Sequence, residues 1–597
     1  MIKIVNFKKN TYLIFGFIFI IFWLFPLWNM HDLAVISDGN GYLAGIEAVK
    51  ISILDYHQWP QNNPWVQGGM PESHYLMSPI SIRFWFFIIF ETKTALSLYF
   101  LFSFTILFYG SYKIAGLYLG NNILKYTFAF LSISNIALIF HLKAGHYIFL
   151  SFCYFPLVLY FLFKHRSVKF SGIFSGYLFG LMLDDDIGHM PAYSLLILGI
   201  FIIYFFLNSK NNNRKKLLYW IYFFILTSLC VVSYKLSVFY EFRDEFPRIW
   251  RMFYFSNIST LIKSYIIPYY ELSWSPSGVK VCPGTWENSA YIGLVAFIFI
   301  FYSFKNKLNI IHYIVIFLFL LQLGTSSFLP YGWLQNLPVF ESHKCYNRVR
   351  IFSSFYLSFL IIYGFIYISK NKKNIIHDFK YYILFFILIE RLLTANLLMQ
   401  NTHKKYADVN IFSKWDPSYE NLHILEKYKN NKKFFNYTVL PSYESIKLNI
   451  GTLRWGGNSF LYEASEHENE KYSGPHAINE KKYQGEFSVD GKVIEPNFWS
   501  PNVIVFNDLE IGKKLRLNMN PNRGWKLNNQ NLFEKHKVYE PNKKFIINIK
   551  ETSITLKYDV PGKKRGIILS FATLILLLIS ILLLVGINKF RTSRLIK

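Results

Sequence analysis

The chain is poor in cysteine. It has four in 597 residues, at 153, 230, 282 and 345, too few for a disulfide-built scaffold and without the spacing of a zinc finger. It carries no Gly-rich phosphate loop, no HExxH and no Ser-His-Asp signature, so nucleotide-driven transport and metalloprotease chemistry lose their usual support. Acid is scarce as well, with 36 Asp and Glu against 63 Lys and Arg, a formal charge of +27. That excess does not point to DNA or RNA, because the basic residues fall in short clusters between apolar runs and build no single basic surface.

What fills the chain is apolar. Hydrophobic residues make up 53% of it and aromatics 20%, and uncharged runs recur along most of its length. This is the composition of a polytopic α-helical membrane protein, not of a soluble core. Cytoplasmic loops accumulate Lys and Arg, so the clusters serve as a ruler for topology. With residues 1–10 inside, spans are expected near 12–29, 94–117, 124–141, 146–163, 169–183, 190–208, 217–237, 289–304, 309–325, 351–369, 379–398 and 566–588. That is about twelve. The first starts like a signal peptide, yet no small-residue cleavage site follows, and it reads as a retained span. Residues 79–90 read as a half-span or interfacial helix with Arg83 and Glu91 near its ends.

Three large outward loops follow from this topology, 30–93, 238–288 and 326–350, within a multi-span module of residues 1–399. Residues 400–564 form an outward, β-rich domain, and 565–597 a closing span with a cytoplasmic tail. Segments such as FIINIK and SITLKYDV alternate apolar and polar residues, as half-buried strands do, and GG, DG, PN and PG pairs punctuate them. Helix is expected around Tyr419 to Lys429. Cys153 and Cys230 read as packing residues in spans. Cys282 and Cys345 fall in two outward loops, where an oxidising compartment would permit a bridge.

Chemistry concentrates in two places. The first is the loop from His31 to Met77, with Asp32, Asp38, Glu47 and Asp55 following directly on an uncharged run. The second is GLMLDDDIGHMPAYS, where Asp184, Asp185 and Asp186 end one span, and His189 with Tyr193 opens the next. Three adjacent acids cannot face lipid, each costing about 2.5–3.5 kcal/mol at a span centre. They belong at the outer face or in a wet cavity, and a solvated turn explains them equally well.

These residues resemble the bacterial YfhO-like membrane proteins, polytopic glycosyltransferases of the GT-C class. The first loop looks like that family's, with an Asp followed closely by an aromatic (Asp38 to Tyr42), then Trp59-Pro60, Gly68-Gly69-Met70-Pro71 and Ser78-Pro79. LPYGWLQNLPVFESHKCYNRVRIFSSF is similar to its Leu-Pro and Arg-Phe stretch. NPNRGWKLN and LKYDVPGKKRGIILS look like its Gly-Trp, Tyr-x-Pro-x and Gly-x-x-x-Ser closure. The pattern covers nearly the whole chain. One departure is that Asp32 and Asp38 do not form the tight DxD of many GT-C enzymes, which puts a divalent cation in doubt.

The resemblance implies transfer of a sugar from a polyprenyl-phosphate carrier to a glycan, polymer or lipid acceptor at the outer face of the bacterial cytoplasmic membrane. An acceptor hydroxyl needs a base, and a carboxylate is the usual one. Asp38, flanked by Gly39 and Gly41, is the first choice and Asp32 the second; the alternative for Asp38 is a helix cap. Arg348 and Arg350 can clamp a donor phosphate or merely anchor a span at the headgroups. His146, in the turn HLKAGHY, can share that work with His141 and Lys143. Tyr42, Asp184, Asp185, Asp186 and His189 complete the polar wall. Among the outward aromatics Trp59, Trp65, Trp274 and Trp286 are candidate stacking faces for sugar, with Glu271 and Glu287 as polar partners near Trp274. A flippase of lipid-linked saccharide, or a non-catalytic envelope assembly partner, are the alternative readings.

Overall fold

The computed structural model describes residues 38–65, 69–71, 77–79, 81–165, 170–186, 188–242, 258–268, 289–324, 330–337, 340, 346–371, 376–400, 423–425, 450–452, 484–519, 523–532, 545–560 and 562–595. Helix α1 (Asp38–Leu54) leads into a short hairpin of β1 (Asn62–Asn63) with β2 (Met70–Pro71), then into α2 (Ile82–Ile89). The bundle continues with α3 (Thr92–Ala115), α4 (Asn122–Ile133), α5 (Ile136–Lys143) and a 3-10 helix Tyr147–Tyr154 running into α6 (Phe155–Phe163). Next come α7 (Ser171–Asp185), α8 (Met190–Leu207) and the long α9 (Asn211–Phe242). After α10 (Ile258–Ile266) follow α11 (Leu294–Ser303), α12 (Ile310–Leu321), α13 (Pro330–Leu334), α14 (Arg350–Lys370) and α15 (Ile376–Gln400).

Seven helical stretches among the described residues are long and apolar enough to cross a membrane: Thr92–Ala115, Asn122–Lys143, Met190–Leu207, Asn211–Glu241, Tyr346–Lys370, Phe379–Met399 and Lys563–Leu583. The expected spans near 289–304 and 309–325 are the 10- and 12-residue α11 and α12, and the one near 169–183 is the 15-residue α7. At 1.5 Å per residue, helices of 10 to 12 residues rise only about 15–18 Å, half of a hydrocarbon core. Each buries one face in the bundle, Ala296, Phe299 and Ile300 on α11 and Ile311, Ile314 and Leu318 on α12, and leaves the other exposed. The expected span at 12–29 lies outside the described residues.

Two polar devices shape the bundle. Asn135 breaks the second span into α4 and α5. Its carboxamide oxygen caps α5 by accepting from the Leu138 N–H at 3.2 Å, and its Nδ2 donates to the Ile351 carbonyl at 2.8 Å. The Ser134 carbonyl freed by the break accepts from the fully buried Arg391 at 3.0 Å. Adjacent Glu390 accepts from Tyr291, so the Glu390–Arg391 pair is a structural polar site in the bundle.

Between α7 and α9 the spacing is set by Gly172, Gly176 and Gly180, four residues apart on one face of α7. A Cβ on Gly176 would lie 2.5 Å from the Phe224 carbonyl oxygen, and one on Gly172 2.6 Å from that of Trp220. The helices therefore touch backbone to backbone, as small-residue seams allow in membranes. Ser228 Oγ uses this closeness to donate across the seam to the Gly176 carbonyl at 3.0 Å.

The C-terminal region contains a parallel pair, β3 (His423–Leu425) with β4 (Ile450–Thr452). The strand falls where helix was expected around Tyr419 to Lys429, because pairing with a distant segment overrides local helical preference. Beyond it lie β5 (Phe487–Val489), β6 (Lys492–Val493), β7 (Phe498–Ser500), β8 (Val503–Phe506), β9 (Lys514–Leu517), β10 (Trp525–Leu527), β11 (Gln530–Asn531), β12 (Phe545–Asn548) and β13 (Ile554–Tyr558). They form two antiparallel sheets, ordered β11-β10-β13-β8-β7 and β12-β9-β5-β6. Both sheets feed one core of Phe487, Phe506, Leu515, Trp525, Phe545 and Leu556, which makes the region a β-sandwich. The β5–β6 turn is Asp490-Gly491, both with positive φ, the preferred chemistry for a two-residue hairpin. The closing helix α16 (Lys563–Leu595) leaves this sandwich and packs along α9, where Gly566 sits against the Tyr234 backbone.

Replacing Gly176 by Leu forces α7 and α9 apart. The expected loss is about 1–3 kcal/mol or more, as for overpacked cores, read as a lowered unfolding temperature in detergent. The same change at Gly199, with open space around it, is expected to be nearly neutral.

Candidate functional site

The acids at the end of α7 are not a solvated turn. Asp184, Asp185 and Asp186 are 1%, 4% and 4% exposed, so their charges must be met inside the protein. Arg83 of α2, itself 2% exposed, meets two of them, at 3.2 Å from Asp185 and 4.0 Å from Asp184. It also donates to the Tyr42 hydroxyl at 3.2 Å and to the Asp184 carbonyl at 3.3 Å. The Tyr99 hydroxyl donates to Asp185, the Lys235 ammonium to the Asp184 carbonyl, and the Ser78 N–H to the Asp184 carboxylate at 2.9 Å.

Asp186 joins α7 to α8. One carboxylate oxygen accepts from the N–H groups of Gly188 and His189 and from His189 Nδ1 at 3.0–3.1 Å, and the other accepts from the Met190 N–H at 2.7 Å. Burial alone would push its pKa up, but the His189 charge and these donors outweigh it and hold the group well below the usual carboxylate range.

From this corner an aromatic hub leads to the other candidates. The Phe149 ring lies 5.4 Å from that of His189, 4.6 Å from His141 and 5.5 Å from His146, with the Arg348 guanidinium 5.4 Å from its centroid. His141 and His146 face one another through Nδ1 atoms 3.0 Å apart. Arg350, 1% exposed, opens α14 two residues beyond Arg348. Tyr193 bonds Tyr331 hydroxyl to hydroxyl at 3.1 Å, tying α8 to α13 beneath the hub.

The first turn of α1 reaches the same place. A Cβ on Gly39 would lie 2.7 Å from the Tyr147 ring, so the helix start carrying Asp38 is pressed against the residue that follows His146. Only glycine fits there. Tyr42, one turn on, stacks edge-on against Tyr147 with centroids 5.5 Å apart and meets Arg83 through its hydroxyl. Its burial, opposed by the Arg83 charge, raises the hydroxyl's pKa to about 12, so it stays a neutral hydrogen-bonding group. The structure thus brings together Tyr42, His146, Asp184, Asp185, Asp186, His189, Arg348 and Arg350, with Asp38 at the adjoining helix end. Asp32, Trp274 and Glu287 lie outside the described residues, as do Trp286, Cys282, Cys345 and the bridge between those two cysteines.

Two aromatics considered for sugar stacking have other work. Trp65 is 1% exposed and packs edge-on against Trp499 of the sandwich, and Trp59 donates to the Tyr234 hydroxyl at 3.2 Å while stacking on Phe84. Trp65 is thus covered by the C-terminal region, while Trp59, half-buried, is held by α2 and α9. Sequence reasoning missed Arg83, Tyr99, Phe149 and Lys235 as partners. A signal was present: Lys235 falls inside an expected span and Arg83 inside an apolar stretch, where a charge requires a buried counter-charge or carbonyl. Among the described residues no group of three or more His, Cys, Asp or Glu is placed to hold a metal ion.

No protein-family profile matches the chain, and no curated protein matches it. Among solved structures, the cryo-EM structure of the arabinofuranosyltransferase AftD from Mycobacteria is similar over 63% of this chain, with a TM-score of 0.37 and 10% identity. The chain spans 27% of that protein's length.

Arg83→Met leaves two buried carboxylates without their cation. It is expected to destabilise by about 3–5 kcal/mol, measured by denaturation in detergent, whereas a double change that also neutralises Asp185 recovers part of the loss. For Asp186, a folded pKa depressed below an unfolded value of about 3.9 means stability present above that value and lost as pH falls through the folded one. The melting-temperature gap between the native protein and Asp186→Asn should therefore hold from pH 5.5 to about 4 and shrink only below that.

Proposed function

We propose that the chain is a membrane glycosyltransferase. It takes a sugar from a polyprenyl-phosphate-linked donor and delivers it to a glycan, polymer or lipid acceptor on the outer face of the bacterial cytoplasmic membrane. The observation that carries this reading is the seating of the Asp38 end of α1 against Tyr147, beside the His146, His189 and Arg348 ring around Phe149. A base and a cationic, aromatic-lined pocket are the two things transfer from a lipid phosphate requires. Outside the membrane there is no pool of nucleotide sugars, and a bundle of apolar helices suits a lipid-borne donor.

In this reading Asp38 takes the proton of the acceptor hydroxyl as its oxygen attacks the anomeric carbon. The bond from that carbon to the carrier phosphate breaks, the electron pair leaves with the phosphate, and configuration inverts. Arg348 and Arg350 hold the phosphate as its charge grows, the differential stabilisation that lowers a barrier. Arg is suited to this because its guanidinium forms paired bonds to phosphate oxygens. His146 and His189 add donors, while Tyr42 and the Asp184–Asp186 corner fix the wall behind them. Trp274 and Glu287, on the outward loop 238–288, are proposed to line the sugar subsite. The resemblance of the first loop and the closing segment to YfhO-like proteins supports the same assignment.

Asp38→Asn is expected to reduce transfer from a polyprenyl-phosphate sugar in reconstituted vesicles by well over tenfold, more than about 1.4 kcal/mol of barrier, with thermal stability nearly unchanged. A smaller fall transfers the role of base to Asp32. Movement of lipid-linked saccharide across the bilayer without any transfer product would establish a flippase instead.

A further inference from the structure

The first loop and the C-terminal sandwich meet along a seam of polar bonds. Asn502, 4% exposed, commits its whole side chain there. Its Nδ2 donates to the Trp59 carbonyl at 2.9 Å, and its Oδ1 accepts from the N–H groups of Gln61 and Asn62 at 3.3 and 3.0 Å. Its own carbonyl accepts from the Tyr558 N–H at 2.7 Å, which locks it into the five-stranded sheet. On either side the Gln58 carboxamide bonds Ser500 Oγ at 3.0 Å, Asn62 Nδ2 donates to the Pro501 carbonyl at 3.0 Å, and the Val560 N–H donates to Gln61 Oε1 at 3.3 Å. Tyr56 and Trp65 close the seam edge-on against Trp499.

The held segment is short and stiffly joined to the candidate site. The Gln58 N–H donates back to the Ser52 carbonyl at 2.8 Å, fastening it to the end of α1, whose residues 42–49 are buried throughout. A buried helix shifts as a unit, so displacement at residues 58–62 reaches the Asp38 end of α1. We infer that Asn502 is a positioning residue for the transfer reaction: through Trp59–Asn62 it sets α1, so the sandwich completes the active site. The inference rests on the reading of Asp38 as the base.

The test uses the full-length protein in lipid vesicles. Asn502→Ala is expected to lower kcat roughly tenfold or more with donor and acceptor KM within about threefold, the signature of lost transition-state alignment. Asn502→Asp, which keeps the two accepted bonds, should retain an intermediate rate. In parallel, amide hydrogen exchange should quicken in residues 56–63 and in 38–54 of Asn502→Ala, while strands 503–506 and 554–558 keep their protection. A kcat within twofold of the native protein overturns the inference, as does faster exchange at 56–63 that leaves 38–54 untouched. If Asn502→Ala fails to fold, Gln58→Ala with Gln61→Ala loosens the same seam from the opposite side and is judged by the same readouts. Should the native protein show no transfer at all, the glycosyltransferase reading falls, and the exchange pattern alone decides whether the seam positions α1.

Discussion

Two buried carboxylates at the end of α7 demand a cation, and Arg83 is the cation that reaches them. Neither partner is tolerable alone in a site 1–4% exposed, since an unpaired charge there costs several kcal/mol after relaxation. The pairing therefore dictates geometry well beyond itself. It draws α2 inward so that Phe84 and Phe87 are buried beside Arg83, and it places Tyr42 of α1 within reach of the guanidinium. Tyr99 on α3 and Lys235 on α9 are recruited to the same two aspartates. Five helices, α1, α2, α3, α7 and α9, thus share one electrostatic obligation, and the candidate site is built on its surface.

Above that foundation the site is organised by aromatic faces more than by ion pairs. Phe149 offers one ring to three imidazoles and a guanidinium, and the negative face of the ring favours the Arg348 cation lying over it. Asp186 closes one side of this cluster from the α7–α8 cap, pairing with His189 Nδ1 at 3.0 Å and accepting from the backbone N–H groups of Gly188, His189 and Met190.

Much of the membrane architecture could be read from residues alone, because hydrocarbon forces every spanning backbone to be helical and apolar over a fixed length. The strands at 545–548 and 554–558 could be read for a similar reason, since alternation has one structural meaning. What composition did not disclose was termination inside the bundle. Length cannot be inferred from apolarity when a helix such as α11 stops after ten residues, with Phe299 and Ile300 buried and Leu294 and Phe301 exposed. The site was half legible. Asp38, His146, the three aspartates and Arg348 stood out by chemistry, but the approach of the Asp38 end of α1 to Tyr147 depends on Gly39, and a glycine carries no such signal in sequence. Trp65 packs against Trp499 of the sandwich and Trp59 against Phe84 and Tyr234, long-range contacts that no local pattern of residues discloses.

That separation has a temporal side. The Asn62 N–H donates to Asn502 Oδ1 across 440 residues of chain. At translation rates of about 5–20 residues per second, the first loop waits roughly 20–90 s before its partner is made. During that interval its Trp, Gln and Asn side chains and the backbone of residues 59–62 must be hydrated or held by another protein. The bundle can insert helix by helix, but α1 receives its final setting only when almost the whole chain has been synthesised. A ribosome that stops early would leave a membrane-inserted bundle with an unfinished first loop, without the seam that joins it to the sandwich.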